Sequence, residues 1–306
     1  MRTAFIEQLI IDARINPRIF LVVGDLGYSV VEPFANEFPN RFLNAGVAEQ
    51  NMTGVAAGLA AEGYHVFTYS IGNFPTLRCL EQIRNDVVYH GLPVTVVAVG
   101  AGLAYGSLGH SHHAIQDIAI MRSLGEIGIW TPSDPGEARA CVKHLSVNPR
   151  PSYLRLGKAG EPKLHEIVWD NGSPLQIRGG DSDLAIVACG SILENALKAA
   201  DLLDRIGIRV TVFSCPKVHP LSIKDVSVLA GFRRLAVVEE HLESGGLFSA
   251  LHEKMHRTMR EGQLMLSIAL SSSVLGRVGS QSYLREIGGL GPDSIAAKIF
   301  EWKSSL

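Results

Sequence analysis

Two consecutive α/β units, each a mostly parallel sheet covered by helices, are what this sequence predicts, and three observations carry the expectation. Short, almost wholly apolar strand candidates alternate with longer helical stretches, the pattern of βαβ units. The chain has 306 residues, enough for two such units. The alternation lapses in turn-rich sequence between Gly157-Lys-Ala-Gly-Glu-Pro162, Asp170-Asn-Gly-Ser-Pro174 and Gly179-Gly-Asp-Ser182. A first domain is therefore expected over residues 1–160, a surface linker over 161–182 and a second domain over 183–306.

In the first unit, Phe5, Ile6, Leu9, Ile10 and Ala13 share one face of a helix over 3–15, which Asn16-Pro17 ends. Ile19-Phe-Leu-Val-Val23 is a fully apolar strand that stops at Gly24-Asp-Leu-Gly27. A strand-like run over 41–44 precedes a helix over 50–61, so rich in Ala and Gly and so poor in charge that it must pack on most sides. Strands follow over 65–69, 94–99, 127–130 and 153–156, with helices over 74–89, 115–123 and 135–145. The second unit repeats the pattern without repeating the sequence: strands over 184–189, 209–214, 235–239 and 264–270, helices over 192–206, 223–230 and 247–259. Pro292 opens a final helix over 293–302.

Composition narrows the function classes. With 46% hydrophobic and 19% charged residues, the chain has material for a large core and apolar surface to spare for subunit contacts. A net charge of −2 without any Lys/Arg block argues against nucleic acid. No uncharged run reaches the length of a membrane span, and the first residues do not read as a signal peptide. Cys79, Cys141, Cys189 and Cys215 are scattered without metal or redox spacing, which fits reduced thiols in a cytoplasmic protein.

Ligands of parallel sheets sit at the carboxyl ends of the strands, where Asp25, Glu49, Tyr69 and the stretch 100–113 fall. Glu49 lies in Asn44-Ala-Gly-Val-Ala-Glu-Gln50, at a strand-to-helix junction on the first turn of the apolar helix. A carboxylate there either satisfies helix N-terminal N–H groups or serves a ligand, and the residues alone leave both readings open. Tyr69-Ser-Ile-Gly-Asn-Phe-Pro-Thr-Leu-Arg78 sets aromatic side chains and a cation after a strand. A glycine-rich loop carrying His110, His112 and His113 follows the next strand; its histidines lack helical i, i+4 spacing and no cysteine is near, which argues against zinc.

Gly46-Val-Ala-Glu-Gln50, followed by Ala56-Ala-Gly-Leu-Ala60 and an aromatic strand, resembles the pyrimidine-binding motif of transketolase-type thiamine diphosphate enzymes. Pro216-Lys-Val-His-Pro-Leu221 and Val237-Val-Glu-Glu-His-Leu-Glu-Ser-Gly-Gly246 resemble that family's C-terminal domain. The resemblance implies a pyrimidine-binding domain followed by a transketolase C-terminal domain. It implies that Glu49 shares a proton with the aminopyrimidine ring, whose imino form then deprotonates the thiazolium carbon, and that Tyr69 and Phe74 stack on the ring. Arg78 matches an arginine of the deoxyxylulose-phosphate synthase branch. His112 matches the histidine that faces the reacting carbonyl, with His110 and His113 beside it. Lys158 matches the basic residue that takes the substrate phosphate, and Asp25 resembles an Asp near the family's dimer interface. The departure is Leu108, where related enzymes carry an aspartate that contacts substrate hydroxyls.

No Gly-Asp-Gly motif for a metal-bound diphosphate occurs in the 306 residues. The resemblance thus implies a split enzyme: a separate N-terminal, diphosphate-binding chain supplies the Mg2+ ligands, the cofactor lies between subunits, and two copies of each chain form an α2β2 heterotetramer. The expected activity is transfer of a ketol unit between sugar phosphates or related carbonyl compounds. The alternatives are a decarboxylating enzyme (synthase-like, or the beta subunit of a 2-oxo-acid dehydrogenase) and a catalytically silent assembly subunit. The second domain is assigned to assembly, with His219 and His241 structural.

Overall fold

The computed structural model describes every residue except 167–171, 181–182, 257–260 and 306. Its twelve strands are β1 (Ile19–Val23), β2 (Phe42–Asn44), β3 (His65–Ile71), β4 (Val94–Val99), β5 (Gly128–Trp130), β6 (Ser152–Leu156), β7 (Leu175–Arg178), β8 (Leu184–Cys189), β9 (Thr211–Ser214), β10 (Lys217–His219), β11 (Arg234–Leu242) and β12 (Leu264–Leu270). The helices are α1 (Arg2–Ile15), α2 (Glu32–Glu37), α3 (Glu49–Ala61), α4 (Leu80–Gln82), α5 (Asp117–Arg122), α6 (Pro135–Val147), α7 (Leu193–Arg205), α8 (Ile223–Val226), α9 (Leu247–Met255), α10 (Gln281–Ile287) and α11 (Pro292–Ser304). None of the described helices is long and apolar enough to cross a membrane.

The strands form two mostly parallel sheets, in the orders β10-β5-β6-β4-β3-β1-β2 and β12-β11-β8-β9-β7. The central strands are buried on both faces, which is why they read as continuous apolar runs. Alternation along β3 sorts its side chains: Phe67 and Tyr69 join the core under α1 and α6, whereas Val66 belongs to the core that includes Met52 and Ala56 of α3.

The structure differs from the sequence reading in three places. The expected helix over 74–89 is a 3-10 turn (Leu77–Cys79), the short α4 and a π-helical stretch (Ile83–Val88). The expected linker contributes β7, which pairs antiparallel with β9 and extends the second sheet; its remaining residues 167–171 and 181–182 lie outside the described set, as does the expected end of α9 at 257–259. β10 leaves the second unit and pairs antiparallel with β5, so the later half of the chain closes an edge of the first sheet.

The two units meet across a buried polar seam. Arg155 Nε donates to Asp117 Oδ2 at 2.7 Å, the Tyr153 hydroxyl donates to the same oxygen at 2.5 Å, and Arg155 also reaches the carbonyls of Ala114 (2.7 Å) and Glu240 (3.0 Å). Burying these side chains is tolerable because each charged group gains at least one partner, although Asp117 Oδ1 has none among the described residues. From the second unit, the Glu240 carboxylate accepts from the Leu103 amide at 3.0 Å and from Arg285 at 2.7 Å. A Cβ at Gly102 would lie 2.5 Å from that carboxyl, and the glycine's φ of +62° suits no other residue well. His241 has the structural role expected of it: Nδ1 donates to the Leu242 carbonyl, and Nε2 accepts from the Ala119 amide.

Candidate functional site

Parallel registry brings the ends of β1, β2, β3 and β4 together, so the chain leaves the sheet at Gly24, Ala45, Gly72 and Gly100 on one edge. Glu49 opens α3 at that edge and is only 2% exposed. Gly24 packs against this carboxylate: a Cβ there would lie 3.5 Å from Glu49 Cγ, Met52 Sδ and Ser70 Oγ alike, ordinary van der Waals contact. Arg78 NH1 donates to Glu49 Oε2 at 2.7 Å; Glu49 Oε1 has no protein partner among the described residues. The Arg78 guanidinium also lies 4.5 Å from the Phe74 ring centroid, a cation–π arrangement.

The cluster continues through aromatic contacts. His112 meets Phe74 edge-on, with centroids 5.1 Å apart, and Tyr105 at 6.5 Å. Lys158 Nζ stands 5.0 Å from the Tyr105 ring, leaving an exposed ammonium at the far end. His112 Nδ1 shares a hydrogen bond with Ser111 Oγ at 3.0 Å. Glu49, Arg78, Phe74, His112, Tyr105 and Lys158 thus form one continuous run from a buried carboxylate to an exposed cation. Such a run can hold a flat heteroaromatic ring, move protons at the carboxylate and imidazole, and attract an anion.

Other candidate residues lie elsewhere. Tyr69, expected to stack on a cofactor ring, turns into the core under α1 in this structure. Its ring is buried and stacks on Phe5 at 5.8 Å, because period-2 alternation turns it away from the side occupied by Ser70 and Glu49. That burial pushes its hydroxyl pKa up. His113, expected beside the substrate, is fully buried in this structure, and burial pushes its pKa down. His110 is exposed, its ring 6.0 Å from that of His113. Asp25, in a left-handed conformation (φ 54°), accepts from Asn44 Nδ2 at 2.9 Å and from the Tyr28 hydroxyl at 3.3 Å. Its carboxylate closes a loop at this edge through Oδ1.

Sequence reasoning misses Tyr105 and Asn73. Tyr105 is visible as the aromatic residue of the glycine-rich loop. Asn73 directly follows Gly72 at a strand end, and its side-chain amide reaches the histidine loop.

The orphaned atoms test whether this edge suits a heteroaromatic cofactor. Among the described residues, Ser70 Oγ, on the Glu49 side of β3, and Asn73 Oδ1, next to the partly exposed Phe74, are buried without partners, so the residues fit the polar rim and flat face of such a ring. Among the described residues, no group of three His, Cys, Asp or Glu side chains could hold a metal ion.

Fold and site together define a two-domain α/β protein whose parallel-strand ends gather a buried carboxylate, aromatic rings and an exposed cation. Comparison with known proteins gives the family. The model of the transketolase pyrimidine-binding domain matches residues 1–161, and that of the transketolase C-terminal domain matches residues 175–295. The chain belongs to the transketolase family, and that family implies thiamine diphosphate dependence. It is 34% identical to an apulose-4-phosphate transketolase subunit of Phocaeicola vulgatus, over 83% of each chain. It is 30% identical to a 6-deoxy-6-sulfo-D-fructose transketolase subunit of a Clostridium species, over 98% of this chain and 94% of that one. A solved structure described as a split gene transketolase, inactive beta4 tetramer, superposes with a TM-score of 0.86 at 31% identity, covering 98% of this chain and 96% of that one.

Proposed function

We propose that this chain is the pyrimidine-binding subunit of a split transketolase-like enzyme that transfers a ketol unit between sugar phosphates or related carbonyl compounds. The observation that carries the reading is the buried Glu49 carboxylate, held on one oxygen by Arg78 and free of protein partners on the other among the described residues. Relatives that are themselves named as transketolase subunits align with nearly the whole chain, which supports a separate partner. We assign the Mg2+ ligands and the diphosphate grip to that partner, in an α2β2 assembly, and the enzyme to the cytoplasm, in keeping with four free, buried cysteines. Domain limits of 1–160 and 183–306 are part of the same reading.

Thiamine diphosphate, when bound, supplies the nucleophilic carbon and electron sink of ketol transfer. Glu49 holds a proton against the ring nitrogen in a dry environment. Phe74 offers its face to the ring, and Arg78 keeps the carboxylate aligned. His112 donates to or accepts from the substrate oxygen as charge develops there. Lys158, with His110 at the rim, attracts the anionic end of the substrate. Leu108, half-exposed at the position that the resemblance matches to an aspartate, leaves the substrate held differently there or favours a less hydroxylated one. Exposed Tyr28, Val47 and Leu77, on the segments that follow β1, β2 and β3, and Leu43 in the edge strand β2 suit coverage by a partner chain.

The test is reconstitution. The isolated chain is expected to show no transfer activity, and activity is expected to appear on mixing with a chain that carries Gly-Asp-Gly and a downstream Asn, together with thiamine diphosphate and Mg2+. Full activity from the pure single chain would overturn the split-site reading.

A further inference from the structure

We propose that Asn73 is the positioning residue that fixes the His112 loop against Phe74; the proposal rests on the reading of His112 as the residue that serves the substrate oxygen. Asn73 Nδ2 donates to the carbonyls of Ser111 (3.2 Å) and His113 (3.0 Å), the two residues that flank His112. It thereby bridges 38 and 40 residues of sequence with one side chain. The loop it holds is short. His110–His112 is a single 3-10 turn, closed by His112 N–H to the Gly109 carbonyl at 2.9 Å and His113 N–H to the His110 carbonyl at 3.1 Å. Gly109 enters the turn at φ +80°, and a Gly102–Ala114 bridge closes the loop beyond it. Between those two anchors, the Asn73 amide is the cross-link to the strand end that carries Phe74.

The chemistry of the clamp is specific. Both partners are carbonyl oxygens, so the group facing them must be the NH2 end, which sets the orientation of the amide. Aspartate has the same shape and the opposite polarity, and would turn two attractions into two repulsions. The other end of the amide, Oδ1, is buried and has no partner among the described residues. A buried acceptor left unmet is costly, so two bonds to the loop must outweigh one bond forgone.

Hydrogen exchange on the full chain and kinetics on the partner-complemented enzyme test this together. Asn73→Asp and Asn73→Ala are expected to speed amide exchange at 110–114 by about tenfold while leaving the sheet amides protected. In the complemented enzyme they are expected to lower kcat by about 10- to 100-fold, to leave the apparent affinity for thiamine diphosphate within threefold, and to shift the pH profile of kcat. Asn73→Gln keeps the NH2 donor and is expected to recover part of the rate, and it stands in should Asn73→Asp fail to fold. Wild-type exchange at 110–114 in all three variants would overturn the clamp. Faster exchange with unchanged kcat, in an enzyme that His112→Gln inactivates, would overturn the positioning role. If His112→Gln retains full activity, the His112 reading falls instead, and the exchange data still decide the clamp.

Discussion

Arg78 NH1 lies 2.7 Å from Glu49 Oε2, and the two side chains differ sharply in exposure, 47% for the arginine against 2% for the carboxylate. The pair is therefore asymmetric. Solvent can support Arg78 without Glu49, whereas Glu49 without Arg78 is a buried charge with one fewer partner.

That asymmetry separates stability from catalysis at a single contact. Glu49→Gln is expected to cost about 4 kcal/mol of transition-state stabilisation in the complemented enzyme, roughly a thousandfold in rate, because the proton path to the ring is cut. Its melting temperature should stay close to wild type. Arg78→Ala should lower the melting temperature more than Glu49→Gln does, by an amount equivalent to about 1–3 kcal/mol, since it strands the buried acceptor. Steady-state kinetics and thermal melts on the same preparations check both arms. A rate loss under tenfold for Glu49→Gln would remove that carboxylate from the chemistry.

Arg78 and Phe74 raise a second expectation, because the guanidinium both binds the carboxylate and covers the ring. Arg78→Lys retains the charge but loses the planar group that does both. The expected outcome is about tenfold weaker cofactor binding in the complemented enzyme, measured by titrating activity against thiamine diphosphate, with much of the ion pair's stability kept. Wild-type affinity would mean that the stacking of the Arg78 guanidinium on Phe74 takes no part in holding the cofactor ring.

The seam between the two units supplies a third. Arg155 and Asp117 are both buried and share a hydrogen-bond network with Tyr153 and two backbone carbonyls. Arg155→Met removes the cation and leaves Asp117 facing Tyr153 alone, an expected loss of about 3–5 kcal/mol. Replacing both partners with apolar residues of similar size should recover most of it, since no unpaired charge then remains. Denaturant melts of the single and double variants measure this, and a double variant less stable than Arg155→Met would show that the network adds stability beyond its own desolvation.

The particular residues show where sequence is informative. Glu49, Phe74, Arg78 and His112 are legible because each sits in a contiguous stretch at the end of an apolar strand, where parallel sheets gather their ligands. Tyr69 is not, because a strand buried on both faces carries no signal of which parity meets α3; the structure puts Ser70 on the Glu49 side and Tyr69 under α1. β7 and β10 escape detection for another reason. Leu175–Arg178 and Lys217–His219 are too short to have a period of their own, and each exists through antiparallel pairing with a distant strand. Asn73 is visible as a residue, but its partners are backbone carbonyls 38 and 40 positions away, and no side-chain pattern marks those.

His65 carries a pH dependence whose sign the structure sets. It begins β3, is buried, and its Nε2 lies 3.1 Å from Thr95 Oγ1. Burial lowers its pKa from 6.5 to about 4. The folded chain therefore keeps this imidazole neutral while the unfolded chain protonates it below 6.5. Its contribution to stability is complete above pH 6.5, declines as pH falls towards 4 and levels off below, a span equivalent to at most about 3 kcal/mol. Glu239 works against it. Burial raises its pKa from 4.5 to about 7 despite the Leu247 and Phe248 amides it accepts from, so its contribution is lost as pH rises through that interval. The two trends overlap between pH 4.5 and 6.5, and the wild-type profile there is the flatter for it. His65→Asn should leave the Glu239 trend exposed, so that the variant's melting temperature falls as pH rises from 4.5 to 6.5 more steeply than that of the wild type. Parallel slopes for the two proteins across that interval would mean that His65 is protonated within the fold.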